Sequence, residues 1–261
     1  MYTTLRKMGV GAGTILEPSM GAGAFFGQSH SYLYEPTTRL FGVELDSLTG
    51  RIARQLYQKA NIQITGFEKA DLPDSFFDVV IGNVPFGDYS VVDPQYNRLH
   101  FKIHDYFFAK SIDKLRTGGI IAFITTSGTL DKKSEEVRRY INARCDFIGA
   151  VRLPDSTFKS AGTKAMADII FLQKRDRPIE IEPDWVHLGE NADGFAINSY
   201  FVDHPEMVLG RQTSESTQYG RQEFTVEPYE GLDLGTQLSN AILNIRGLSL
   251  IHILRCRRSH K

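Results

Sequence analysis

The sequence predicts an α/β fold: a doubly wound, mostly parallel open sheet of seven strands with helices on both faces. Three observations carry this expectation. Short β-like runs alternate with helical stretches between residues 14 and 174, as in strands joined by crossover helices. A glycine-rich turn, Pro18-Ser19-Met20-Gly21-Ala22-Gly23, follows the first run directly. The last two runs are linked by Pro154–Met166, which has no obvious helix, so they are expected to pair antiparallel as a hairpin at one edge.

In chain order, Thr14–Glu17 reads as a short apolar strand and Ala22–His30 as a helix. Leu40–Glu44 is a second strand, and Leu48–Ala60 a helix with apolar residues at Ile52, Leu56 and Ala60. Ile62–Thr65 is a third strand, and the apolar run Asp78–Gly82 a fourth. His104–Leu115 reads as an amphipathic helix stopped by Thr117-Gly118-Gly119. Ile120–Thr125 is the fifth strand, Ser134–Ala143 a charged helix, and Phe147–Leu153 and Ile169–Gln173 the last two strands. Residues 1–174 are thus expected to form one domain. After Lys174 the pattern fades, with weak strand signals around Ile179–Leu188 and Phe224–Glu227, so residues 175–246 read as a linker or partial extension. Gly247–Lys261 shifts abruptly to apolar and then basic residues. It reads as a short basic helix or as a non-native or disordered tail, and no function is assigned to it.

Composition narrows the class. Of 261 residues, 41 % are hydrophobic and 23 % charged, which is ordinary for a soluble globular protein. No apolar run approaches the roughly 18 residues of a membrane span, and the first residues lack the apolar core of a secretion signal. The two cysteines, Cys145 and Cys256, form neither a metal-ligand nor a disulfide pattern, so a reducing cytoplasm is expected. The formal net charge is −1, whereas dedicated nucleic-acid binders usually carry a basic excess. Any nucleic-acid contacts are therefore confined to one face or supplied by another part of a larger protein.

Four motifs carry chemistry. The first is Glu17-Pro18-Ser19-Met20-Gly21-Ala22-Gly23, where glycines after a strand let the backbone approach a ligand. A tight strand-to-helix turn explains it equally well in isolation. A nicotinamide site is disfavoured, because Phe26 stands where the third glycine of the dinucleotide fingerprint belongs. The second is Glu44, ending the second strand, which can accept hydrogen bonds from both ribose hydroxyls of a nucleoside cofactor; capping the next helix suits Asp46 or Ser47 better. The third is Asp71, beyond the third strand, whose carboxylate can accept from an adenine amino group. The fourth is Asn83-Val84-Pro85-Phe86 at the end of the fourth strand, where open α/β sheets bind ligands. An exocyclic amino group is a poor nucleophile because its lone pair is delocalised into the ring. Two acceptors, the Asn83 side-chain oxygen and the Val84 carbonyl, can hold both amino hydrogens and favour a tetrahedral nitrogen. Pro85 stiffens the loop and Phe86 can stack on an extruded base. Each motif is weak alone; four in this order along one sheet edge are not.

With these residues in place, the chain resembles the amino-methyltransferases with an (N/D)-P-P-(Y/F/W) loop, specifically the adenine-N6 DNA methyltransferases, over roughly residues 5–174. The resemblance implies the class I methyltransferase fold, Rossmann-like, with a reversed last strand, and S-adenosylmethionine as cofactor. By similarity Glu17, Pro18, Ser19, Gly21 and Gly23 line its methionine part. Glu44 with Leu45 binds the ribose, Asp71 with Leu72 the adenine, and Asn83, Val84, Pro85 and Phe86 form the catalytic loop; no metal is implied. Phe158 is a candidate second stacking residue, although hairpin packing accounts for it too. Arg98, Arg152, Lys159 and Lys164 are candidate phosphate contacts. The wording of ILEPSMGAGAFF, DVVIGNVPFGDY and IHDYFFAKSIDKLRTGGIIAFIT is similar to the methylase part of large methylase–SNF2 helicase proteins of mobile elements and phages. That likeness implies a fragment continuous with a helicase module, with DNA as partner.

Three departures stand out. Val84 replaces the usual first proline, Tyr2-Thr3-Thr4 matches the upstream Y-T-P-type motif only partly and lies too close to the first strand, and no target-recognition domain is evident. The rival expectations are an RNA-base or protein-glutamine N-methyltransferase using the same loop, and a catalytically silent DNA- or cofactor-binding domain of a helicase protein.

Overall fold

A computed structural model describes residues 1–32, 37–159, 165–216 and 222–245. The chain enters by helix α1 (Tyr2–Lys7), then β1 (Thr14–Glu17), α2 (Ala24–Tyr32), β2 (Arg39–Glu44), α3 (Ser47–Leu56), β3 (Asn61–Ile64) and β4 (Phe77–Asn83). It continues through α4 (Ile103–Lys114), β5 (Leu115–Thr126), the short α5 (Gly128–Asp131), α6 (Glu136–Arg144), β6 (Cys145–Leu153) and β7 (Ala167–Lys174). These seven strands form one sheet in the order β3-β2-β1-β4-β5-β7-β6. Neighbours from β3 to β5 pair parallel, while β7 pairs antiparallel with both β5 and β6. The last two strands pair as expected, and the reversed β7 lies inside the sheet with β6 at the edge.

This order has a physical consequence. From β1 the chain steps outward to β2 and β3, then returns to β4 and steps the other way to β5. Right-handed crossovers therefore place α2 and α3 on one face and α4 on the other. The reversal falls between β1 and β4, and a crevice opens at their carboxyl ends. β4 earns its central place by composition, since Phe77, Val79, Val80 and Ile81 are all fully buried.

Two elements differ from expectation. In α3, Asp46 caps the helix, accepting from the Thr49 N–H at 2.7 Å, but Leu48, Ile52 and Leu56 face solvent. The small residues Gly50 and Ala53 face inward instead. A Cβ on Gly50 would lie 2.9 Å from Ile64 Cγ1, so the helix sits too close to β3 for larger side chains. Helix α4 ends at Lys114, close to the expected end, but Thr117-Gly118-Gly119 is no helix stop: it lies within β5, where the register with β4 shifts between Phe77 and Val79. Gly118 takes φ 75° there, and a Cβ on Gly119 would press on the Arg116 and Phe77 carbonyl oxygens at 2.9 and 3.0 Å.

Beyond Lys174 the chain forms β8 (Leu188–Glu190), β9 (Ala196–Asn198), α7 (Ser199–Asp203), β10 (Arg211–Ser216), β11 (Gln222–Glu227) and α8 (Leu234–Asn244). Val186, Ile197, Phe201 and Met207 are buried in the same core as the sheet. The Trp185 ring stacks on Phe147 of β6 at 4.5 Å, and the Asn198 amide donates to the carbonyls of Leu130 and Trp185. Gly247–Lys261, Cys256 and Lys164 lie outside the described residues. Among the described residues no helix is long and apolar enough to cross a membrane.

Candidate active site

The glycine-rich turn is fixed by its backbone. The Met20 N–H donates to the Val43 carbonyl at 3.0 Å and the Gly23 N–H to the Met20 carbonyl at 2.8 Å. Gly21 and Gly23 have φ of 54° and 87°, the left-handed region that suits glycine. Their surroundings differ. A Cβ on Gly23 would fall 2.4 Å from the Tyr57 ring, whose hydroxyl donates to the Gly23 carbonyl at 2.7 Å. Nothing lies within 4 Å of a Cβ on Gly21. Gly23 is thus required by packing, whereas Gly21 faces open space from which a ligand can reach the backbone.

Glu44, at the end of β2, braces this turn. Its Oε2 accepts from the Gly21 N–H at 2.7 Å and its Oε1 from the Asp46 N–H at 2.8 Å, and each oxygen keeps a second lone pair for a ligand hydroxyl. Leu45 beside it is 76 % exposed. Asp71 is held by its backbone: its N–H donates to Gln63 Oε1 at 2.8 Å and its carbonyl accepts from Gln63 Nε2 at 2.7 Å. The Asp71 side chain remains exposed. Leu72 turns into the core, and its carbonyl accepts from Lys114 Nζ at 2.8 Å.

Glu17 ends β1 almost fully buried, and its Oε2 has no hydrogen-bond partner. Burial raises its pKa to about 9, against a lowering hydrogen bond from the Phe26 backbone, with the charge of Glu44 adding to the rise. A buried acceptor without a donor is costly, which marks this oxygen as a place for a ligand donor. Burial, and then the Glu17 charge, raise the Tyr2 pKa as well. Tyr2 is packed in α1, so Tyr2-Thr3-Thr4 lies in a helix.

Asn83 ends β4, one residue beyond Gly82, where an added Cβ would lie 3.5 Å from Glu17 Cγ. The Asn83 side chain is exposed, while Val84 is buried and its N–H donates to the Ile124 carbonyl of β5 at 3.0 Å. The Phe86 ring meets Phe158 edge-on at 6.4 Å. Phe158 comes from the loop after β6 and, with Ile124, Phe25 and Tyr2, lines a cleft of about 410 Å³. The sheet therefore gathers Glu17, Gly21, Glu44, Asp71 and Asn83–Phe86 along one edge and adds Phe158 from the far side.

One sequence reading is corrected. Arg152 cannot touch phosphate, because it is completely buried. Its guanidinium pairs with Asp168 at 2.8 Å and Asp131 at 2.6 Å and lies over the Phe201 ring. Burial works against its charge, but the two carboxylates outweigh that and raise its pKa. Lys159 and Arg98 are exposed. Sequence reasoning missed Tyr57 and Gln63, which hold the glycine-rich turn and the Asp71 loop; no local pattern marks either residue.

The strand order, the switch point between β1 and β4 and the reversed β7 define the class I methyltransferase fold. Solved structures share it. A modification subunit of a putative type I restriction enzyme from Vibrio vulnificus YJ016 superposes with a TM-score of 0.58 at 16 % identity, over 87 % of this chain and 57 % of that one. The EcoKI M protein superposes with a TM-score of 0.54 at 18 % identity, over 66 % and 42 %. The N-6 DNA Methylase family model matches residues 8–186, and the chain belongs to that family. Defense against restriction protein B of Escherichia phage P1 is 28 % identical over 193 residues, covering 72 % of this chain and 8 % of that protein. The uncharacterized protein YtxK of Bacillus subtilis (strain 168) is 26 % identical over 156 residues, 55 % of this chain and 46 % of its own length. The chain thus spans less than half of either curated relative.

Proposed function

We propose that this chain transfers a methyl group from S-adenosylmethionine to the exocyclic N6 amino group of adenine in DNA. The observation that best supports the reading is the position of Asn83-Val84-Pro85-Phe86 at the carboxyl end of β4, next to β1 at the switch point of the sheet, where the adjoining Gly82 lies against Glu17. The residues fit the cofactor. The unpartnered Glu17 oxygen suits the ammonium of its methionine end, with Pro18 and Ser19 beside it, and Gly21 leaves room for close approach. The Glu44 carboxylate, with exposed Leu45 beside it, suits the ribose hydroxyls, and the exposed Asp71 carboxylate suits the adenine's amino group.

When bound, S-adenosylmethionine supplies an electrophilic methyl group. Asn83 Oδ1 and the Val84 carbonyl accept hydrogen bonds from the two amino hydrogens of the target adenine and hold its nitrogen lone pair toward the crevice; one of those hydrogens leaves as a proton to water once the nitrogen carries the methyl group. Pro85 limits the motion of that loop. Phe86 and Phe158 offer apolar ring surface to a base taken out of the duplex. The rate gain comes from positioning and from fixed dipoles at the amino nitrogen.

The test is calorimetric binding of S-adenosylmethionine, followed by methyl transfer to duplex DNA with RNA as competitor. Asp71→Ala is expected to weaken cofactor binding about tenfold, the worth of one hydrogen bond to a charged group. Asn83→Ala is expected to lower kcat by about 10²–10³ while cofactor affinity stays unchanged. Cofactor binding with no transfer to any nucleic acid would instead favour a silent domain. Supply of DNA contacts and a helicase module by a larger polypeptide belongs to this proposal, in keeping with the short span of the phage relative that the chain covers.

A further inference from the structure

The Phe158 loop leaves β6 at Leu153 and returns at Ala167, and two residues that hold it, Thr225 and Val226, come from outside the family match. The Asp155 N–H donates to the Val226 carbonyl of β11 at 2.9 Å, and the Asp155 carbonyl accepts from the Ala165 N–H at 3.1 Å. Its carboxylate Oδ2 accepts from the Thr225 hydroxyl of β11 at 3.2 Å, and both residues are buried. Asp155 therefore ties the two ends of the loop to each other and to the β10–β11 hairpin. The next turn is closed on Pro154, whose carbonyl accepts from the Thr157 N–H at 3.1 Å and the Thr157 hydroxyl at 2.7 Å. That turn delivers Phe158 to Phe86.

The segment leading to the hairpin is fixed in its own right. The Leu209 N–H donates to the Arg152 carbonyl at 2.9 Å, and Val208 bridges to Arg152. The Arg152 side chain is locked by Asp168 and Asp131 against Phe201, and Asp131 also accepts from the Asn198 N–H at 2.9 Å. An extension that merely covers apolar surface has no need of a buried hydroxyl–carboxylate bond to a site loop.

We propose that residues 188–216 and 222–227 are a positioning element for the target-base site, in which Thr225 acts on Asp155 of the loop, the two positioning residues together holding Phe158 at a fixed distance from Phe86. The proposal rests on the reading of Asn83–Phe86 as the base site. Its physical ground is that ångström-scale misplacement around a reacting group can cost up to about 100-fold in rate.

The experiment uses the full chain and two variants. Thr225→Val keeps the shape and removes the hydroxyl, and Thr225→Ser restores it. Amide hydrogen exchange is measured without DNA over residues 156–159 and over residues 18–23. Methylation of duplex DNA is then measured with kcat and KM separated, alongside cofactor affinity. Thr225→Val is expected to speed exchange in 156–159 about five- to tenfold, the worth of one hydrogen bond, and to leave 18–23 within about twofold. It is expected to raise the KM for DNA or lower kcat by a similar factor with cofactor affinity unchanged, and Thr225→Ser to behave as wild type. Unchanged exchange in Thr225→Val, or equal acceleration in both loops, overturns the proposal, as does a loosened loop with wild-type kinetics. If the wild-type chain transfers no methyl group, the reading of the base site fails, and the exchange data alone decide whether the hairpin holds the loop.

Discussion

Glu17 keeps its proton well above the pH at which an unfolded glutamate loses it, with a pKa raised from 4.5 to about 9 by burial. A pKa raised on folding gives stability that is complete below the unfolded value and is lost as pH rises through the folded value. Urea midpoints are therefore expected to fall between pH 5 and pH 9 in the wild type and to fall less in Glu17→Gln. An equal slope in both would place the pH dependence elsewhere. On the proposed reading, pairing with the cofactor's ammonium requires the ionised carboxylate. Calorimetry at pH 7 in buffers of different ionisation enthalpy should then show release of about one proton, absent in Glu17→Gln. The two glycines of the turn make a second contrast. Gly21→Ala meets only the strain of its positive φ, about 1–2 kcal/mol, whereas Gly23→Ala must also displace the Tyr57 ring. Thermal melts should rank Gly23→Ala clearly below Gly21→Ala.

Among the elements, β6 depends on an arginine that has no contact with solvent. Removing one partner of a buried pair leaves an uncompensated charge, so Arg152→Ala is expected to cost about 3–5 kcal/mol in urea unfolding. Arg152→Met combined with Asp168→Leu and Asp131→Leu should cost less than Arg152→Ala alone, because no buried charge is then stranded. The sequence shows why such features escape it. The glycine-rich turn, the Asp46 cap and the Asn83–Phe86 loop are local, so composition and order point to them. Tyr57 acts on a carbonyl 34 residues away and Thr225 on a carboxylate 70 residues away, and neither separation leaves a pattern. Periodicity identified α3 as a helix but implied the wrong inward face, because Gly50 and Ala53 carry too little apolar signal to outweigh Leu48, Ile52 and Leu56. Arg152 looks like any surface cation until Asp168 and Asp131 are placed around it. The extension after Lys174 gave weak signals because its strands are only three to six residues long.

For the whole molecule, a net charge of −1 sets limits on association with DNA. Of the candidate phosphate contacts among the described residues, Arg98 and Lys159 are exposed, and each neutralised phosphate contributes about −0.9 to the slope of log K against log salt. Fluorescence anisotropy with a short duplex should give a slope of about −2 for this chain alone. A much steeper slope would reveal a basic surface that those two residues do not provide. The strand order also governs how the chain is made. β7 lies between β5 and β6 but is synthesised after both. Until Ala167–Lys174 has left the ribosome, β6 has no partner and β5 presents an unpaired edge of Ile120, Ile121, Ala122 and Phe123. Open apolar edges invite pairing with other chains. The sheet therefore closes by late insertion of one strand into a waiting slot, and the nascent chain is most open to aggregation in that interval.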